Sequence, residues 1–436
     1  MNLDIITYYE NMENNIHLDI DNVYGPLVHP LDTQHFDVHN WYRFKEGFSP
    51  NLLKEVLGFF GLEKDIRLLD PFCGSGTTIL SSMLLDKNYQ FDSATGVEVN
   101  PFIHFVASTK VKYGNLNITA SVDFLNNLKN IEINEYLTEI NIPELSTIPK
   151  AFSYNTLSQI INLRALIEDT FFGSYEEDFF KLALAAIIEQ VSCMKKSGRA
   201  LKIIRKVAEY DVKQIFIQKA NQMIKECELL KSTLSEGLMP NIINTDIRNL
   251  NSDKEKDYFN LVVFSPPYLN HFDYTEVYKL ELWMLGFVSS KKEFRDLRYK
   301  TFRSHPSVKF EETDIYKSHN SENIKNLIHY LESLEEKEPF YTTIIGYIDD
   351  MYKTLKKLYK TSTNNASFAC IVANSLFGSS KKNNLTPVAT DLIISEIAKD
   401  LGFEIICIKV ARKLTRRGII FPYGRESVIY FKKVTE

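Results

Sequence analysis

The sequence predicts an α/β fold: a doubly wound, mostly parallel sheet interrupted by a large helical insertion. Three observations predict it. DIRLLD (65–70) reads as a short strand, PFCGSG turns the chain, and TTILSSMLLDKN (77–88) reads as a helix. ATGVEVN (94–100) and PFIHFVASTKVKYG (101–114) repeat the strand–helix unit at once. After a long helical stretch the rhythm returns at NIINTDIRNL (241–250) and FNLVVFSPPY (259–268). Strands alternating with helices point to a sheet covered on both faces.

The remaining elements follow in order. Residues 1–40 are polar and carry little pattern, so they are set apart as an N-terminal extension. Before the first strand, Leu52, Leu53, Val56, Leu57 and Phe60 recur at helical spacing, with Ser49 as the expected N-cap and Pro50 in the first turn. From 115 to 235 apolar residues recur at three- and four-residue steps, which predicts helices and no strand. HFDYTEVYKLELWMLGF (271–287) predicts one helix behind the second-half strand. A helix near 341–360, a strand at 366–375, a helix at 387–402 and two terminal strands at 403–414 and 425–433 complete the pattern. The catalytic half is then discontinuous, 41–114 plus 236–436, with insertions at 115–235 and 269–338.

Bulk composition narrows the class. A chain of 436 residues exceeds one ordinary core, and 44% hydrophobic with 25% charged residues is ordinary for a globular protein. No apolar run approaches the roughly 20 residues of a membrane span, and MNLDIITYYENMENN lacks a signal core, so a cytoplasmic protein with no membrane partner is expected. Five scattered cysteines, none in a C-x-x-C pair, argue against a zinc site or a disulfide framework, and no metal is expected. The net charge of -5 means that any nucleic-acid surface must be local.

DPFCGSGTT (70–78) sits between a strand and a helix. Gly74 and Gly76 permit a tight turn and close approach of a ligand, and the helix offers unpaired N–H groups. Neither the phosphate-loop pattern nor the full G-x-G-x-x-G is present, and no lysine flanks the turn. Glu98 lies near the end of the next strand, 22 residues after Gly76, where an acid can accept hydrogen bonds from ribose hydroxyls. Asp246 follows the strand NIINT and can meet a base amino group. Together these suit an adenosine ligand without a phosphate chain.

The apolar strand LVVF (261–264) stops at Ser265, Pro266, Pro267 and Tyr268. Proline lacks a backbone N–H and cannot continue a central ladder, so the corner is stiff. D-P-F-C-G-S-G-T-T followed by S-P-P-Y resembles the amino-group DNA methyltransferases. The resemblance covers 41–114 and 236–436 and implies a Rossmann-like methyltransferase sheet and S-adenosyl-L-methionine as cofactor. It implies that Asp70, Phe72, Gly74 and Gly76 form the methionine side of the cofactor site, that Glu98 holds the ribose, and that Asp246 holds the adenine amino group. F-S-P (48–50) looks like the family's motif before the first strand, which assigns Phe48 to the cofactor. It also implies that the target base leaves the duplex, that the Ser265 hydroxyl and the Ser265 and Pro266 carbonyls accept from its amino group, and that Tyr268 supplies a stacking face. In that family Ser before P-P is usual for cytosine N4 and Asp or Asn for adenine N6, so Ser265 points to cytosine. Tyr268 after Pro267 stands where a ring-carbon enzyme would need cysteine.

Basic clusters give the double-stranded DNA partner a place. Lys291, Lys292, Arg295, Arg298, Lys300, Arg303 and Lys309 are interleaved with Phe294, Tyr299 and Phe302. Arg412, Lys413, Arg416 and Arg417 lie between the terminal strands, and KKSGRALKIIRK (195–206) lies in the helical insertion. Tyr274, Tyr278 and Trp283 are further base-stacking candidates, and His271 and Asp273 are close enough in sequence to line the site. Only 18 residues separate Asp246 from Ser265, so no recognition domain fits between them. The resemblance implies a bacterial or archaeal restriction–modification or phage-defence system, with a cognate restriction endonuclease as the partner to look for. The rival readings are an adenine-N6 enzyme, an RNA amino-group methyltransferase, and a non-catalytic cofactor-binding DNA sensor.

Overall fold

A computed structural model of the chain describes residues 4–85, 88–137, 139–197, 200–231, 238–251, 256–269, 272–305, 320–335, 340–379, 381, 384–416 and 418–434. Its centre is an eight-stranded sheet. From one edge to the other the strands are Leu18–Ile20, Phe403–Arg416, Ile419–Lys433, Ser362–Ala373, Phe259–Phe264, Ile66–Asp70, Phe91–Val97 and Asn241–Ile243. Only the pairings made by Ile419–Lys433 are antiparallel; the other five are parallel. This is the Rossmann-like α/β arrangement that the sequence predicts.

Alternation along the central strands explains why both faces are covered. Leu68, Leu261 and Val263 face one core, which includes Leu53, Val56 and Leu57 of the Leu52–Phe60 helix. Leu69, Val262 and Phe264 face the other, against the helices Phe340–Thr361 and Thr390–Asp400. A strand with apolar residues on both faces has nowhere stable except the sheet centre. Register then sets the functional edge. Leu69 pairs with Val262, Asp70 with Gly96, and Val97 with Ile243. The chain segments just beyond these strands, carrying Phe72, Glu98, Asp246 and Ser265, therefore emerge at one end of the sheet.

The helical block forms a third core. Phe124, Leu163, Phe180 and Phe216 pack in one cluster with Trp41, Phe102, Tyr278 and Trp283, so the block shares its interior with the α/β part. It also holds a short hairpin, Met194–Ser197 with Ala200–Ile203, where the periodicity predicts only helices. Strands of four residues are too short to impose a period.

Three other expectations differ in detail. The N-terminal segment contributes the helix Ile6–Glu13 and the edge strand Leu18–Ile20. The helix at 52–60 starts after Asn51; Ser49 instead closes the turn before it, accepting from the Asn51 N–H at 3.2 Å and donating to Asp32. The segment expected as one helix at 271–287 is two short ones, Tyr274–Val277 and Lys279–Met284, broken at Tyr278. Among the described residues no helix is long and apolar enough to cross a membrane.

Candidate active site

Two cavities meet at the end of the sheet, and the Ser265–Tyr268 corner is the wall between them. The first, with about 800 Å³ of empty space, is lined by Phe72 and Gly74 from the glycine turn and by Glu98, Asp246, Ser265 and Pro267. The second, about 680 Å³, is lined by Ser265, Pro266, Tyr268, Lys45, Arg412 and Glu426. Ser265 faces both, Pro266 faces the second and Pro267 the first. Glu46 and Tyr274 also face both.

The glycine turn is held by Asp70. Its buried carboxylate accepts the Phe72 N–H at 3.1 Å and the Thr78 hydroxyl at 2.5 Å. Burial pushes this carboxyl up to about 7, against the two hydrogen bonds. Asp70 thus shapes the turn and is not among the cavity-lining residues. Gly74 has φ +51°, and a Cβ there would lie 2.9 Å from the Phe44 ring. Gly76 has φ +85° and packs on Ala107, where a Cβ would come within 3.3 Å of backbone. Gly74 is therefore a lining glycine, and Gly76 a packing one.

Glu98 accepts the Asn100 N–H at 2.8 Å. Burial pushes its carboxyl up to about 7, while the backbone N–H groups of Asn100 and Gly74 pull it down. A carboxylate held by backbone N–H groups and lining a cleft suits the hydroxyls of a ligand. Asp246 is clamped: Arg248 Nε lies 2.9 Å from both of its oxygens, and the Arg248 N–H reaches Oδ1 at 2.9 Å.

Phe48, expected at the cofactor, lies in the hydrophobic core with Leu52 and Leu53. Phe44, four residues earlier, lines the cleft instead and stacks on Tyr278 at 5.7 Å. A core helix follows Phe48 directly, and that helix draws its ring inward.

The basic segment at 291–303 divides. The helix Lys291–Lys300 is capped by the Ser290 hydroxyl and exposes Lys291, Lys292, Arg295 and Lys300. Arg298 turns inward to Asp273, at 2.9 Å, and to Glu276. Arg303 is buried against Asp349 and Asp350, the latter at 2.7 Å, so it offers no surface to a phosphate. The end of the helix and the residues after it roof the first cavity: Lys300, Thr301, Phe302, Ser304 and His305 line it. Phe302 meets Phe72 edge to face at 5.5 Å, and Arg248 lies over the Phe302 ring at 5.3 Å. Both ring nitrogens of buried His305 lack a hydrogen-bond partner among the described residues, and burial lowers its pKa. The roof escaped the sequence because its basic composition resembles a DNA-facing loop.

In the second cavity Tyr268 donates to Glu426 at 2.8 Å, and Arg412 Nε donates to the other Glu426 oxygen at 2.6 Å. Arg416 is half-buried near the end of its strand. Tyr278 and Trp283 are core residues, leaving Tyr274 as the ring in that group that lines the cavities. Asp273 caps the Tyr274–Val277 helix. Arg417, His271 and Lys309 lie outside the described residues. Among the described residues no cluster of ligating side chains could hold a metal ion.

No family model matches the chain. Among solved structures, an rRNA methyltransferase, aviRa from Streptomyces viridochromogenes, overlays with a TM-score of 0.30 at 9% identity, over 88% of this chain and 85% of that one. That overlay is too loose to carry an argument. Sequence similarity reaches further. The type II methyltransferase M.BsoBI of Geobacillus stearothermophilus is 25% identical over 433 residues, covering 87% of this chain and 81% of that protein. The type II methyltransferase M.AvaI of Nostoc sp. (strain PCC 7120 / SAG 25.82 / UTEX 2576) is 23% identical over 400 residues, covering 84% and 79%. Over most of its length this chain is similar to type II methyltransferases.

Proposed function

We propose that the chain is a site-specific DNA methyltransferase that modifies the exocyclic N4 amino group of cytosine in duplex DNA. One observation carries the reading: a rigid Ser-Pro-Pro-Tyr wall separates two cavities, and Ser265 opens to both. A direct transfer between two ligands needs their cavities to adjoin, and Ser265 lines both where they meet.

The first cavity takes S-adenosylmethionine. Its residues fit that molecule: Glu98 for ribose hydroxyls, Asp246 for the adenine amino group, Phe302 for the ring, and Phe72 and Gly74 for the methionine side. When bound, S-adenosylmethionine supplies an electrophilic methyl group on a sulfonium.

The second cavity takes a cytosine flipped from the duplex. Tyr268, pinned through its hydroxyl to Glu426, offers a fixed ring face. The Ser265 hydroxyl and the carbonyls of Ser265 and Pro266 accept from the amino hydrogens and draw them from the ring plane. That localises the nitrogen lone pair. The two prolines hold the acceptors in place before reaction, so little reorganisation is required. Lys291, Lys292, Arg295 and Lys300 contact phosphates. The protein is the modification half of a restriction–modification pair. Ser265 supports cytosine over adenine, on the resemblance given above.

The test is transfer of labelled methyl from S-adenosylmethionine to duplex DNA, with mass analysis of the nucleosides. N4-methylcytosine is expected. N6-methyladenine would keep the site and overturn the base. Transfer to RNA alone would overturn the substrate.

A further inference from the structure

Transfer to an amino nitrogen leaves a proton to be disposed of, and Ser265 is too weak a base to take it. One carboxylate faces both cavities. Glu46, half-buried, lines the cofactor cleft and the base cavity, as only Ser265 and Tyr274 otherwise do among the residues lining both. Its Oε2 accepts the Tyr278 hydroxyl at 2.5 Å, which fixes its direction. It precedes Gly47, which lines the base cavity, and lies two residues from Phe44, which lines the cofactor cleft.

Resting on the methyltransferase reading above, we propose that Glu46 accepts the proton released from the target amino nitrogen. The nitrogen lone pair forms a bond to the methyl carbon as the carbon–sulfur bond breaks, and that electron pair stays on sulfur. The nitrogen is then cationic. One of its N–H protons passes to the Glu46 carboxylate, leaving a neutral methylamino product and a neutral carboxylic acid. The acid reionises to water through the base cavity after the product leaves.

The surroundings suit the task. Burial raises the Glu46 carboxyl, while the Tyr278 hydroxyl and the ammonium groups of Lys196 and Lys45 act the other way. Lys196 is itself neutralised by Glu281 and lies 4.5 Å over the Tyr278 ring. Lys45 donates to the Lys196 carbonyl, and Tyr274, whose hydroxyl is raised, stands across the junction. A carboxylate with a raised pKa is a better proton acceptor near neutral pH than a solvated one.

The experiment compares full-length wild type, Glu46→Gln and Glu46→Asp on plasmid DNA from a methylation-free host. It measures kcat against pH, and S-adenosylmethionine affinity by calorimetry without DNA. Glu46→Gln is expected to lose kcat by about 100-fold or more with cofactor affinity within about twofold. Wild-type kcat is expected to fall at low pH as Glu46 protonates, and Glu46→Asp to keep a displaced acid limb. If Glu46→Gln weakens cofactor binding and leaves kcat intact, Glu46 holds the cofactor and the proposal is wrong. If neither changes, water takes the proton and the proposal is wrong. Wild type that binds the cofactor but methylates no DNA overturns the substrate reading and this step with it.

Discussion

On the proposed reading, Ser265 and Glu98 divide the work between transfer and cofactor binding. Ser265→Ala removes one acceptor from the wall and leaves the backbone carbonyls in place. Its kcat should fall by about 10²-fold, the scale for one preorganised polar group, with unchanged cofactor affinity by calorimetry. Glu98, on the same reading, acts on cofactor binding. Its carboxyl, raised to about 7, must be ionised to accept two hydroxyls. Cofactor affinity should therefore be full above pH 7 and fall as pH drops through 7, by up to about tenfold per unit. Glu98→Gln should flatten that dependence, apart from what Asp70, also near 7, contributes. Calorimetric titrations between pH 6 and pH 8 read both.

At the level of elements, the glycine turn is the most constrained piece. Gly74→Ala forces a left-handed φ on a side chain and drives its Cβ into the Phe44 ring. It should cost roughly 1–2 kcal/mol from backbone strain and lower cofactor affinity further, read by thermal melts with and without S-adenosylmethionine. This turn, the acids after the strands and the corner were legible in the sequence because each is local. A few residues fix each turn, and strand alternation fixes where it emerges. The roof at 300–305 was not legible. Arg248 to Asp350 and Arg303 to Asp349 are contacts across more than 40 residues, and nothing in a basic stretch tells which arginine turns inward. Phe48 misled for a related reason. Two phenylalanines four residues apart compete for one cleft, and the helix that follows decides between them.

For the whole molecule, the split in the basic segment separates affinity from stability. Removing exposed Lys291 and Arg295 should reduce the salt dependence of DNA binding by about one unit of slope each, without changing the melting temperature. Arg303→Ala should do the reverse. It leaves buried carboxylates short of a partner and should destabilise the fold on the order of 3 kcal/mol, read by denaturant titration. The helical block is bound to the rest by the same kind of contact. Lys196 on its hairpin pairs with buried Glu281 and donates to the Tyr42 hydroxyl at 2.6 Å. The block therefore bears directly on the helix behind the corner.

The two margins of the sheet have a different consequence. Each is a strand of only three residues, Leu18–Ile20 on one side and Asn241–Ile243 on the other. A foreign chain that tried to add itself beyond either of these strands would find only a short run of unsatisfied peptide groups there, too few to repay its ordering. Strand addition at these two outermost strands is thereby discouraged.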